Sequence, residues 1–404
     1  MGCEEWSANV LIKKLTDEIR QKMNTEFSED DDTGALAFIE KYVLENEELK
    51  YTSVKEKAGI IDTVFNRIRK DLSVIQPLAD DREISEIMVN GKDCVFIERN
   101  GRIYDAGVSF ESVEELEEVI RRIAAGVHRE INELNPILDA RLEDGSRVNA
   151  VYKNIALNGP ILTIRKFPES RISMDDLLRF GAITEESAGF IKKLVICGYN
   201  IFISGGTSSG KTTFLNVLSN YIPQDERIIV IEDSAELQIT EIKNIVRLEC
   251  RNANVQGKGG VTMRQLIKSS LRMRPNRIIV GEVRGEEVLD MIQAMNTGHD
   301  GSLSTGHGNS PKGMICRLET MYLQAADFPI EAIRRQICEA IEIMVHLGRT
   351  ADGKRRVLEI TEVLDMNAGE IELNPLFRFE DGELRPTGNK LYYSQKLAMH
   401  GYRD

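Results

Sequence analysis

The run Gly205-Gly206-Thr207-Ser208-Ser209-Gly210-Lys211-Thr212 fits G-x-x-x-x-G-K-[ST] without a mismatch. The chemistry it suggests is a grip on a phosphate chain. Glycines let the backbone turn so that successive N–H groups point inward at an anion. A helix starting behind the loop adds partial positive charge. Lys211 would reach the outer phosphates, the Thr212 hydroxyl suits Mg²⁺, and Thr213 extends the cradle. The flanks agree: residues 200–204 read as a short buried strand and residues 213–218 as the start of a helix.

Other residues join this constellation. Ile228-Ile229-Val230-Ile231-Glu232-Asp233 is an apolar strand tipped with acids, and Glu236 follows one turn later. Acids at a strand's carboxyl end can support a metal or orient a water, which is the favoured reading here; a helix cap at Asp233 is the alternative. Arg277-Ile278-Ile279-Val280-Gly281-Glu282 is a second such strand, with Gly281 where a metal-binding Asp usually stands. Glu282 is the expected general base or water-orienting group. Arg284 and Glu286 follow and suit a bridge to a neighbour. His299 and His307 stand eight residues apart in a Gly/Ser/Thr-rich stretch. That spacing does not suit zinc on one helix, so a γ-phosphate sensor is the expected role, His307 ahead of His299. Arg141, Arg147 and Arg165 suit bidentate phosphate contact; surface pairing with Glu143 and Glu169 is the equal alternative.

These groups need a scaffold. With 404 residues, 42% hydrophobic and 29% charged, the chain is globular and too long for one core. Its net charge of −13 argues against general nucleic-acid binding. The six cysteines form no C-x-x-C pair and read as reduced, cytosolic residues. No apolar run approaches a membrane span, and Trp6 breaks the acylation pattern after Met1-Gly2-Cys3. Glu29 to Asp32 look like a solvated linker.

Residues 1–80 read as helical, with Val54, Ala58, Ile61, Phe65, Ile68 and Leu72 on one stripe. Residues 81–167 read as a small α+β domain. It holds strands at 87–91, 94–98, 102–104, 148–151 and 161–165, a turn at Asn100-Gly101, and a helix capped by Ser112 and Glu115. Residues 168–183 form a linker. Residues 184–404 alternate strands and helices as a mostly parallel α/β sheet: strands at 200–204, 228–232, 245–249 and 277–281, with further strands near 355–363 and 370–379.

Four segments stand in the order known from secretion and pilus ATPases: 205–212, 228–236, 277–286 and 297–307. The chain resembles the CpaF/TadA type, which drives tight-adherence (Flp) pili. Glu86 to Gly91, Asp139 to Leu142, Asp144 to Ala150, Leu162 to Phe167, Gly281 to Glu286, Ala294 to Leu303 and Arg317 to Met321 carry the resemblance, over roughly residues 80–375. It implies a RecA-like P-loop NTPase domain behind a smaller α+β domain, assembled as a homohexamer that hydrolyses ATP with Mg²⁺. It also implies a cytoplasmic motor docked on polytopic inner-membrane platform proteins, touching the membrane only through them, with no nucleic acid expected. Conjugative or type IV secretion, nucleic-acid translocation, and an ATP-gated scaffold with little turnover are the rival readings. Gly306 and Gly308 flank His307 where the family has bulkier residues, which predicts a more flexible loop.

Overall fold

The computed structural model describes residues 2–26, 31–99, 101–142, 144–167, 172–251 and 258–402. Glu29, Asp30, Asn100, Glu143 and the linker residues Pro168 to Ser170 lie outside them. The chain divides into two compact units, Met1–Ser170 and Arg171–Asp404.

The first unit opens with helices α1 (Gly2–Glu26), α2 (Asp32–Glu45) and α3 (Val54–Arg69). Asp31 caps α2 by accepting the Gly34 N–H at 2.8 Å, and Asp32 pairs with Arg69 and Lys70. The end of the acidic run is therefore a helix start, not a linker, because acids there complement the helix dipole. Leu15, Ile19, Ile39, Val43, Ile61 and Val64 form the core of these helices. The expected stripe on α3 holds from Ile61 onward, but Val54 and Ala58 face solvent. A short helix, α4 (Gln76–Asp80), leads into the sheet.

That sheet contains β1 (Ile84–Asn90), β2 (Val95–Arg99), β3 (Arg102–Asp105), β4 (Ile137–Arg141), β5 (Arg147–Val151) and β6 (Ile161–Arg165). Its order is β3-β2-β1-β6-β5-β4, antiparallel throughout. Helix α5 (Val113–Gly126) packs Leu116, Val119, Ile120 and Ile123 against Ile87, Val89, Val148 and Leu162. Ser112 accepts the Glu115 N–H at 3.1 Å, but the Glu115 carboxylate takes the Glu111 N–H at 2.7 Å. Only half of the expected capping box forms.

In the second unit α6 (Met174–Arg179) and α7 (Glu185–Ile196) precede β7 (Ile201–Gly205) and α8 (Lys211–Ser219). Then come β8 (Ile228–Glu232), β9 (Ile245–Glu249), α9 (Met263–Ser270), β10 (Arg277–Val283), α10 (Glu287–Met295) and β11 (Leu303–His307). Helices α11 (Pro311–Ala325) and α12 (Ile330–Ala340) lead to β12 (Ile343–Arg349), β13 (Arg355–Asn367), β14 (Glu370–Glu380), β15 (Glu383–Pro386) and α13 (Gln395–Met399). The order is β15-β14-β13-β12-β7-β11-β10-β8-β9. From β12 to β9 neighbouring strands are parallel; β13, β14 and β15 extend the sheet antiparallel. Alternate side chains of β7 feed cores on opposite faces, Ile201 and Ile203 on one and Phe202 on the other.

The segment expected to be a flexible loop around His307 is an interior strand. Gly306 is buried in β11, and a Cβ there would lie 2.9 Å from both the Phe202 ring and the Met314 methyl. The glycine makes room for packing; it does not loosen the chain. Gly306→Val is expected to destabilise the protein by about 2 kcal/mol through overpacking, read as a lower urea midpoint. Gly306→Ala should cost less, since the end of Met314 can move.

Candidate active site

The phosphate loop leaves β7 at Gly205 and re-enters regular structure at Lys211. A Cβ on Gly205 would stand 2.5 Å from the Leu347 carbonyl of the adjoining strand, so only glycine fits. Gly210 sits in the left-handed region at φ +95°, and Ser208 does so at +56°. Gly210 also occupies the N-cap of α8 and has no side chain with which to cap it. Helices α2, α3, α5, α6, α9 and α11 all have a side-chain cap. The N–H groups of Lys211, Thr212 and Thr213 therefore start a helix whose polar end is left for an outside acceptor.

Lys211 is buried. Its amine donates to the Gly206 carbonyl at 2.9 Å and faces His307 Nδ1 at 3.3 Å. Burial lowers its pKa, against the pull of Glu282. His307 reaches this point through register: β11 pairs with β7 so that His307 stands level with Gly205. An ammonium can only donate, so Nδ1 carries the lone pair and Nε2 the proton of a neutral ring. Burial likewise holds the His307 pKa below its ordinary value. Nε2 lies 2.7 Å from Glu282 Oε1, although out of line for a hydrogen bond.

Glu282 sits at an irregularity. Val280 pairs with Ser304 and Val283 with Gly306, so β10 carries one extra residue across this interval. Such bulges re-aim side chains beside active sites. Arg284 holds the other carboxylate oxygen at 2.8 Å and reaches Asp233 at 3.4 Å. Gly281, where an Asp was expected, leaves room for Glu232: a Cβ would lie 3.1 Å from the Glu232 Cγ. Glu232 is buried, and Oε1 accepts the N–H groups of Glu236 at 2.8 Å and Leu237 at 3.0 Å. Burial raises its pKa while these two bonds oppose the rise. Glu232 thus shapes the turn that carries Glu236.

Loop, Lys211, Thr212, Thr213, Glu232, Glu236, Glu282, Arg284 and His307 all gather at one edge of the sheet. His299 does not. β11 starts at Leu303, level with Ile201, so His299 belongs to the opposite edge, where its Nδ1 lies 3.0 Å from the Ala294 carbonyl. In the other unit, Arg141 pairs across strands with Arg147, and Arg147 with Arg165. Directly opposed residues share a face, so the three arginines form one stripe. The Arg141 Nε donates to the Gly145 carbonyl at 3.3 Å.

Three site neighbours escaped the sequence reading. Buried His346 has Nδ1 2.9 Å from Ser204 Oγ, on the strand feeding the loop. Arg349 and Arg355 both donate to the Ser208 carbonyl, at 3.4 and 3.0 Å. Asp352-Gly353, with Gly353 at φ +79°, is a hairpin turn signal that would have found the two strands carrying them, though not their place beside the loop.

Burial lowers the His346 pKa, so the unfolded chain takes up that proton more readily. The stability it contributes is complete above the ordinary value of 6.5 and declines as pH falls below it. The difference in urea midpoint between wild type and His346→Gln should therefore shift against wild type on going from about pH 7.5 to about pH 5.

The family described as type II/IV secretion system protein matches residues 69–374. An uncharacterized protein of Methanocaldococcus jannaschii is 40% identical over 73% of this chain, and the chain spans 42% of that relative's length. The conjugal transfer protein TrbB of Rhizobium radiobacter is 35% identical over 70% of this chain and 85% of its own. The X-ray structure of the Yersinia pseudotuberculosis ATPase DotB shares the fold, with a TM-score of 0.53 at 18% identity over 73% of this chain and 79% of that one. The phosphate loop and the acid-tipped strands are therefore those of a chain that belongs to the type II/IV secretion system protein family.

Proposed function

We propose that the chain is an ATP-hydrolysing motor. The observation that carries this reading is the meeting, at one sheet edge, of an uncapped helix N-terminus, Lys211, His307 and a bulge-displaced Glu282. Residues Gly205 to Thr213 wrap the phosphates of ATP, and Lys211 moves from the Gly206 carbonyl to the charge that develops on the γ-phosphoryl group. Glu282, steadied by Arg284, positions the attacking water. Neutral His307 lies between Lys211 and Glu282, so a shift of either reaches the other through its ring. That is the arrangement a sensor of hydrolysis needs.

A magnesium ion fits this set. Mg²⁺ takes one or two protein oxygens beside phosphate and water, not a protein cage. Among the described residues no group of three or more His, Cys, Asp or Glu is placed to hold a metal ion by itself, and the Thr212 hydroxyl makes no hydrogen bond among them. Thr212 would hold the ion, with Glu232 and Glu282 on the adjoining strand ends. When bound, the ion supplies charge neutralisation on the phosphates.

At the finer level, we infer a homohexameric ring in the cytoplasm. The Arg141, Arg147 and Arg165 stripe reads γ-phosphate in its own or the next subunit. The ring acts on tight-adherence pilus assembly or retraction through inner-membrane platform proteins. No described helix is long and apolar enough to cross a membrane. Conjugal transfer or type IV secretion is the second reading, favoured by the names of several relatives. Genes for two polytopic membrane proteins and a small pilin beside this one would support the first and not the second.

Lys211→Ala should abolish turnover and leave the unfolding midpoint close to wild type. Glu282→Gln should bind ATP with affinity near wild type while phosphate release falls at least a hundredfold, roughly what a lost general base costs. A wild-type rate in Glu282→Gln would remove Glu282 from the chemistry.

A further inference from the structure

A cavity of about 450 Å³ opens in the second unit between the α6–α7 loop, the start of β13 and the β14–β15 hairpin. Phe180, Ile183, Lys354, Arg356, Phe379 and Leu384 are among the residues that line it. It stands beside the phosphate loop. Arg355, between Lys354 and Arg356 in the chain, donates Nε to the Ser208 carbonyl at 3.0 Å. Neighbouring Cα atoms are about 3.8 Å apart, so the cavity wall begins one side chain from the loop. Ile183 and Leu384 belong to the same apolar core as Phe214 and Leu215 of α8. The cavity and α8 therefore lie on one face of the sheet.

The lining suits a flat, uncharged group. The Arg356 guanidinium lies 5.2 Å from the Phe379 ring, and that of Arg179 lies 5.5 Å from the Phe180 ring. Both cations are paired inside the protein, Arg356 with Asp352 at 2.7 Å and Arg179 with Asp176. They present planar faces more than a second phosphate site. Phe180 leaves half of its surface open. The walls are held in place: the Val357 N–H donates to the Ala182 carbonyl at 2.9 Å, and the Thr184 hydroxyl to the Leu384 carbonyl at 3.2 Å. Aromatic rings and guanidinium planes stack heteroaromatic bases. We propose that this cavity takes the base of the nucleotide whose phosphates the loop of the same subunit holds. This rests on the nucleotide reading above.

The test reads the base directly, with etheno-ADP, whose altered adenine fluoresces, and acrylamide, which quenches the base it can touch. The full wild-type chain is compared with Phe180→Ala, Phe379→Leu and the double variant, with Mg²⁺ present. Leu keeps apolar bulk in the wall, and thermal unfolding confirms that each variant is folded. In wild type the bound base should be several-fold less quenchable than the free analogue. In the double variant that shielding should be lost and the Kd should rise about tenfold, the order of one lost stacking contact. A wild-type complex quenched as readily as the free analogue overturns the proposal. So does shielding or affinity that survives unchanged in the folded double variant, which would seat the base elsewhere. Absence of binding by the wild-type chain would instead remove the nucleotide reading on which the proposal stands.

Discussion

β11 lies between the strand that ends in the phosphate loop and the strand that ends near Glu282, and its register joins the two. His307 is level with Gly205 on one side, while Gly306 pairs with Val283 on the other. A one-residue slip would turn the imidazole to the opposite face. Polar contacts hold that register: the Thr305 hydroxyl donates to the Gly281 carbonyl at 2.7 Å, and the Ser302 hydroxyl accepts the Ile278 N–H at 3.1 Å. Both bonds run from β11 or its approach to β10, so the strand that carries His307 is tied to the strand that carries Glu282.

The same economy of polar groups governs the buried charges. Glu232 is kept in the interior by two amide donors, and without them its desolvation would go unanswered. Arg277, at the opposite edge, is buried against Glu226 and the Val195 carbonyl. A Cβ on Gly301 would come within 2.4 Å of its guanidinium. One charged anchor therefore closes each edge of the central strands, and a glycine beside each gives it space.

How far the sequence could be read follows from this arrangement. β7, β8 and β10 were legible because each is a run of β-branched residues ending in a glycine or an acid, so hydrophobic period and function point the same way. β11 was not legible: Leu303 is its one large apolar residue, and its serine and threonine are accommodated only once neighbours exist. β12 was hidden because α12 runs almost directly into it, with only Ile341 and Glu342 between them and no turn residue to mark the boundary. The bulge left a trace, since a glycine inside a strand pattern often marks one, but Gly281 was read as a missing acid. Asp352-Gly353 marks the hairpin that carries Arg349 and Arg355, but its place beside the phosphate loop, and that of His346, comes from the pairing of β12 with β7, which no local pattern encodes. His299 was misplaced for the complementary reason: it is near His307 along the chain and a full strand away in space.

The strand feeding the phosphate loop is flanked by β11 and β12, both made much later in the chain. Ser204 and its partner His346 are 142 residues apart, and Lys211 and His307 are 96 apart. A ribosome that has just released Gly205 has therefore produced a largely apolar strand with neither of its neighbours. Until β11 emerges that strand has no neighbouring strand to pair with, and its other edge stays open until β12 follows. Competence to grip a ligand is accordingly among the last properties this unit acquires during synthesis, and C-terminal truncation short of β12 would remove it while leaving every loop residue in place.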